Sequence, residues 1–355
     1  MKKALRTAYC SLLTAYFLLL TVNCLAADSV ITFYSIPTPV SFSVSITTDT
    51  NGTVWFAQLN TNKIASLNTE TSVFKEYSIP TAKSYPTDIV SDAKGIIWFA
   101  QQDANQIARF DPKTSNFQEY ESPTPQSQPS RLAIDKTGGI WFTEFFGNKI
   151  GRLLPSTGKF KEYSIPTPMS QPIGITVDNK RIVWFVESQG NKLGRLNPSN
   201  GEIKEFPIPF PFCVPNEIAL DKKGNIWISA RKDRKLLMFN PASSKFKDFT
   251  LPGKGVPEGI SVDENNNIWY ADKRGSKVGR LNPDTGEFLE FNIGIANGQP
   301  FDITIGQKNS VLFTELVDNK IGKINASLLS KRQQDTSTLS ISLDGQQKDL
   351  LKQGH

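Results

Sequence analysis

Carboxylates and carboxamides recur at one register of this 355-residue chain, three residues after a tryptophan or its stand-in. They are Gln58, Gln101, Glu144, Glu187, Asp272 and Glu315, with Ala230 the exception. A second register, the two residues after a recurring proline, holds Asp88, Arg131, Asn216, Glu217, Glu258, Phe301 and Asp302. Clustered carboxylates raise one another's pKa unless a cation neutralises them, and all-oxygen ligand sets suit Mg²⁺ or Ca²⁺. Glu144, Glu187, Asp272 and Glu315 are therefore expected as ligands of Mg²⁺ or Ca²⁺. Asn216, Glu217, Glu258, Phe301, Asp302 and Arg131, the only cation of the two sets, are expected to bind a ligand.

The missing residue types exclude other chemistry. His355, the last residue, is the only histidine, which argues against imidazole acid/base catalysis, a Ser-His-Asp triad and His-ligated zinc. Cys213 is the one cysteine beyond the first 26 residues, and no histidine is available to activate it. No phosphate-cradling glycine motif is present.

For the two registers to meet, equivalent positions must be brought round one axis, and the repeat supplies that. Trp55, Trp98, Trp141, Trp184, Trp227 and Trp269 follow at steps of 43, 43, 43, 43 and 42, and Leu312 stands 43 further on. An Asp precedes each Trp by six residues, as Asp135 precedes Trp141, and a proline lies twelve before most of them, as Pro129 does. A period in the low forties is that of propeller blades. The third unit reads as strands at 131–135, 140–144, 150–153 and 160–165. Its β-branched and aromatic runs, such as Ile140-Trp141-Phe142, sit between turn residues. The chain is predicted to be an all-β, seven-bladed β-propeller of four-stranded blades. Tyr34 stands as far before Trp55 as Tyr77 does before Trp98, so the N-terminal strand is predicted to complete blade seven and remove an exposed edge.

Two details follow from the blade pattern. The Asp before each Trp is expected to accept backbone N–H groups of a Gly-containing turn. Arg109, Arg152, Arg195 and Arg280 of the third strand are expected to pair with acids of the fourth, such as Glu119, Glu162, Glu205 and Glu290.

Outside the repeat, Lys2, Lys3 and Arg6 precede an apolar run and the small residues Ala26 and Ala27, the pattern of a secretory signal peptide. The domain plan is signal peptide 1–26, propeller 27–325 and an unstructured tail 326–355, with no transmembrane domain after cleavage. The protein is expected to be exported, to an extracellular, periplasmic or cell-surface location, and monomeric. The formal charge of +6 is spread without basic runs, so nucleic acid is not an expected partner.

Ile140-Trp141-Phe142-Thr143-Glu144 and Gly147-Asn148-Lys149-Ile150-Gly151-Arg152 resemble the blade signature of the virginiamycin B lyase (streptogramin lyase) family. Glu162-Tyr163-Ser164-Ile165-Pro166-Thr167-Pro168 and Pro172-Ile173-Gly174-Ile175-Thr176 extend the likeness, which covers residues 31–325. The resemblance implies the same fold and an Mg²⁺-dependent elimination that opens cyclic depsipeptide antibiotics. It places the family's catalytic histidines at Glu258 and Phe301, one metal-associated acid at Gln299 and a second at Glu315. Three of these four positions depart from the family pattern, and function resides in the site rather than the fold. The expected function is a propeller without streptogramin lyase activity that binds a small molecule, a divalent cation or a protein segment at an acidic channel mouth. The alternatives are a divalent-cation-dependent lactonase-type hydrolase using Glu144, Glu187, Asn216, Asp272 and Glu315, or a residual C–O lyase with Glu258 as base.

Overall fold

In the six tryptophan blades one carboxylate does two jobs. In blade three, Asp135 Oδ1 accepts the backbone N–H groups of Thr137 and Gly139, which closes the turn through Gly138 at φ +80°. Its Oδ2 accepts the indole N–H of Trp141 at 2.9 Å. The same Asp–Trp bond recurs in all six tryptophan units at 2.9–3.3 Å. Burial works against the Asp135 charge, but hydrogen bonds from Thr137, Trp141 and the turn backbone outweigh it and hold the carboxyl down to about 2. The turn role matches the sequence expectation; the indole anchor is an addition.

The computed structural model describes residues 30–325. The expected signal peptide and tail lie outside the described residues. Blade three comprises antiparallel strands Pro129–Ile134, Ile140–Glu144, Lys149–Leu154 and Lys159–Ser164, within two residues of the predicted bounds. Seven such sheets form, and the last pairs Pro300–Ile305, Val311–Glu315 and Lys320–Ile324 with the N-terminal Ile31–Ser35. Tyr34 stands opposite Ile321 in that closing pair. The innermost strands of neighbouring blades pack on one another in an unbroken ring, blade seven against blade one included. Among the described residues the only helical element is the short turn Gln307–Asn309, and no helix is long and apolar enough to cross a membrane.

Second strands are buried along their whole length, because neighbouring blades cover both faces. Trp141 stacks on Tyr163 at 5.8 Å and packs against Ile175, Val183 and Phe185 of the next blade. Gly151 lies under the Phe142 ring, where a Cβ would come within 2.1 Å, so this close approach demands glycine. Asn148 ties consecutive blades. Its Nδ2 donates to the Ile165 and Thr167 carbonyls, and its Oδ1 accepts the N–H and hydroxyl of Ser170. Asn319 makes the same clasp on Ser41 and seals the ring. Cys213 replaces the serine in blade five, where burial pushes its thiol up to about 12, as befits an inert group.

The expected Arg–Glu pairing is corrected. Glu162 pairs with Lys149 at 2.6 Å, and Glu76, Glu205 and Glu290 pair with Lys63, Lys192 and Lys277. The register explains the change: Glu162 stands opposite Gly151, and Lys149 is its diagonal neighbour on that face. Arg152 projects from the other face, where its guanidinium lies 5.0 Å over Trp141 and bonds Asp135. Arg109, Arg195 and Arg280 cover Trp98, Trp184 and Trp269 in the same way.

Candidate functional site at the channel and its mouth

Six of the seven innermost strands begin with a proline, Ser43 opening that of blade one, and each then loses register with the second strand, as between Pro129 and Leu132 and at the equivalent places after Pro215 and Pro300. Such bulges re-aim side chains. Here they are held by buried hydroxyls of the second strand. Thr143, Ser229 and Thr314 accept the backbone N–H groups of Arg131, Glu217 and Asp302. Only blades three, five and seven carry a hydroxyl at this step, a signal legible in the sequence itself.

Arg131 of blade three forms an ion pair with Glu217 of blade five and donates to the Thr87 carbonyl of blade two at 2.9 Å. Blade four lies between them and contributes Gly174, where a Cβ would meet the Asn216 carbonyl oxygen at 2.6 Å. Asp88 accepts Ser45 Oγ at 2.7 Å and the Leu132 N–H at 2.6 Å. Asp302 accepts the Ile46 N–H at 2.9 Å. Three acids and one arginine therefore fill the axis and pin five blades to one another. Burial pushes Asp302 up to about 7, with the Glu217 charge adding to it and Arg131 opposing. Burial likewise raises Asp88. Of the expected ligand-binding set, Arg131, Glu217 and Asp302 do come together, and each is engaged with another member or with backbone.

The four expected metal ligands do not come together, and this corrects the acidic-mouth expectation. Each is buried in its own blade. Asp272 accepts the N–H groups of Val256 and Gly275, and Glu315 those of Gln299, Val317 and Asp318. Glu144 and Glu187 face the outermost strand, beside Glu162 and Glu205. The reason is the pleat: in blades one and two, the same position sends Gln58 and Gln101 outward to donate to Glu76 and Glu119, each at 2.8 Å. Among the described residues, no group of three or more His, Cys, Asp or Glu could hold a metal ion.

Of the remaining expected residues only Glu258 lines a cavity, one of about 700 Å³ beside blades five to seven, and Asn216 and Phe301 stand next to groups on its wall. Glu258 lies on its wall, accepts Arg231 Nε at 2.7 Å and faces the Asn216 amide at 3.4 Å. Phe301 packs against Val44, Leu59 and Leu316, with the Lys273 ammonium 5.1 Å over its ring. The other lining side chains include Arg231, Lys232, Arg234, Lys254, Lys273 and Arg274. This mouth is basic. Five of those cations stand one to four residues beyond the second-strand register, in Arg231-Lys232-Asp233-Arg234 and Lys273-Arg274, and Lys254 lies three residues before Pro257, so neither register contains them.

Comparison with known proteins fixes the relationship. The sequence profile described as the virginiamycin B lyase family matches residues 19–253 and 115–334. The chain belongs to the virginiamycin B lyase family. A solved streptogramin B lyase shares 30% identity, with a TM-score of 0.78 over 83% of this chain and 97% of that one. Virginiamycin B lyase from Staphylococcus aureus shares 30% identity, with a TM-score of 0.77 over 82% and 98%. A catalytically inactive variant of that enzyme has been solved with quinupristin, at 29% identity. The extracellular domain of a putative hybrid two component system from B. thetaiotaomicron shares the fold at 20% identity, with a TM-score of 0.65 over 80% of this chain and 40% of that one. No curated protein matches the sequence.

Within this member of the virginiamycin B lyase family, the positions that the resemblance marks do not suit a magnesium ion. Glu258 is engaged by Arg231, Glu315 accepts three backbone N–H groups, and the other two are an amide, Gln299, and a phenyl ring, Phe301. Mg²⁺ favours carboxylate and water oxygens free to complete an octahedron. The donor set does not fit, and no metal-assisted step is derived from it.

Proposed function

We propose that this chain is an exported recognition protein of the virginiamycin B lyase family, binding a ligand in the cavity beside blades five to seven without opening streptogramin rings. The observation that carries this reading is the grip of Arg231 on Glu258. A general base must be free to take a proton in the substrate's pose. Burial pushes the Glu258 carboxyl above its ordinary range, and Arg231 draws it back; the guanidinium holds Oε2 and, by stabilising the carboxylate, weakens it as a base. Phe301, at the other marked position, has no proton acceptor.

Incubation with a type B streptogramin and Mg²⁺ tests this. The cyclic antibiotic is expected to survive prolonged exposure to the wild-type chain, as followed by chromatographic separation from its linear isomer. Linear product that forms with wild type and vanishes in Glu258→Gln would establish the residual lyase instead.

Export belongs to the same reading. It is supported by the charged and apolar start of the sequence and by the extracellular domains among the structural relatives. The secreted chain is expected to begin at Ala27. N-terminal sequencing that finds Met1 on the exported protein contradicts cleavage.

A further inference from the structure

The cavity's wall chemistry bears on what it holds, and this step rests on the recognition reading above. Six cations line it, Arg231, Lys232, Arg234, Lys254, Lys273 and Arg274, against the single carboxylate of Glu258, a formal +5. Among the described residues only Arg231 of the six has a carboxylate partner within ion-pair distance. Lys232 and Lys273 lie over the rings of Phe212 and Phe301, and Arg234 donates to the Gly253 carbonyl. This differs from the rest of the blade pattern, where Lys63, Lys149, Lys192, Lys235 and Lys277 each meet an acid. Like charges held together without counter-charges raise the free energy of the empty site, and a concave wall focuses their field on whatever enters.

The cations divide between two walls. Arg231, Lys232 and Arg234 follow the second strand of blade five, whereas Lys254, Lys273 and Arg274 stand on the loops of blade six. With three cations contributed from each side, a single acidic group would leave most of the +5 unmatched. We propose that the cavity binds a ligand bearing at least two acidic groups, phosphate, sulfate or carboxylate, with one against each wall. Guanidinium and ammonium donors give such anions charge-assisted hydrogen bonds, and arginine presents a planar fork that matches all three oxyanions. Glu258 then acts as an internal competitor that occupies Arg231 until the ligand arrives.

Titration calorimetry of the secreted chain at low salt tests this with tripolyphosphate, citrate and sucrose octasulfate, and with acetate as the singly charged control. At least one polyanion is expected to bind saturably and about tenfold or more tighter than acetate, with affinity falling steeply as salt rises; the tightest of the three identifies the acidic group. Lys254→Gln with Arg274→Gln is expected to weaken it about tenfold, while Glu258→Gln strengthens it by freeing Arg231. All these side chains lie at the cavity surface, and circular dichroism verifies folding. Lys308→Gln with Lys323→Gln, at a separate cavity beside Gly52 and Asn68, is expected to change nothing. The proposal is overturned if no polyanion binds saturably, or if the Lys308 and Lys323 changes cost as much as those at the basic wall. Either result leaves the absence of ring opening to be decided by the antibiotic assay alone.

Discussion

Glu144→Gln combined with Glu187→Gln is expected to stabilise the protein by several kcal/mol near pH 8 and by far less near pH 4.5. Blades one and two already show the glutamine version, with Gln58 and Gln101 donating to Glu76 and Glu119. In blades three and four that donor is replaced by a second carboxyl facing Glu162 and Glu205. Lys149 and Lys192 are already engaged by those outer glutamates. Glu144 keeps only the Ser122 hydroxyl, and its Oε2 is buried without a partner. Glu187 has no partner on either oxygen, because Ser170 donates to Asn148 and Thr167 to Glu205. Burial, reinforced by the Glu205 charge, pushes Glu187 up to about 7, and burial raises Glu144 in the same direction against the Ser122 bond.

The sign of the pH dependence follows from where each state releases its proton. An unfolded glutamate ionises near pH 4.3, whereas folded Glu187 holds its proton to about 7. Between those values the unfolded chain binds fewer protons, so rising pH removes stability, about 3 kcal/mol in all for Glu187. Below that window both states are protonated and nothing is lost; above it both are ionised and the loss is complete. Glutamine does not titrate, so the gain of the double variant should grow through the same window and then level off. Urea unfolding of parent and variant at three pH values measures this. A gain that is constant with pH, or a loss, would show that the two carboxyls are not held protonated.

Arg131→Met is expected to cost about 3–5 kcal/mol at neutral pH, the scale for removing one partner of a buried ion pair. Glu217 would lose its counter-ion, and Asp88 and Asp302 would lose the cation that offsets their burial at the axis. Three acids would then have to take up protons or hydrate in a place where blades two, three, five and seven meet. Because protonation relieves them, the loss should shrink as pH falls. Adding Glu217→Leu to Arg131→Met should recover part of it, since the two residues act on each other. Denaturant midpoints for the two variants give the answer. A cost under about 1 kcal/mol for Arg131→Met would mean that the axial cluster contributes little to holding the ring.

The amino-acid order was sufficient for the architecture. Seven blades, the strand bounds of blade three and the closure by Ile31–Ser35 all followed from a repeat whose parts act locally: an Asp six residues before a Trp closes a turn and pins an indole within one blade. Such short-range bonds need no knowledge of distant residues, and their copies are visible along the chain in six of the seven blades. The separate placement of Glu144, Glu187, Asp272 and Glu315, the choice of Lys149 over Arg152 as partner for Glu162, and the basic mouth at Arg231 and Lys273 were decided by tertiary structure. Register sets which face a side chain takes, and loop positions one residue apart can point to opposite sides of a wall. Charges interact over distances in space, so which sign dominates a cavity depends on where the blades bring their loops together, a quantity that spacing along the chain does not contain.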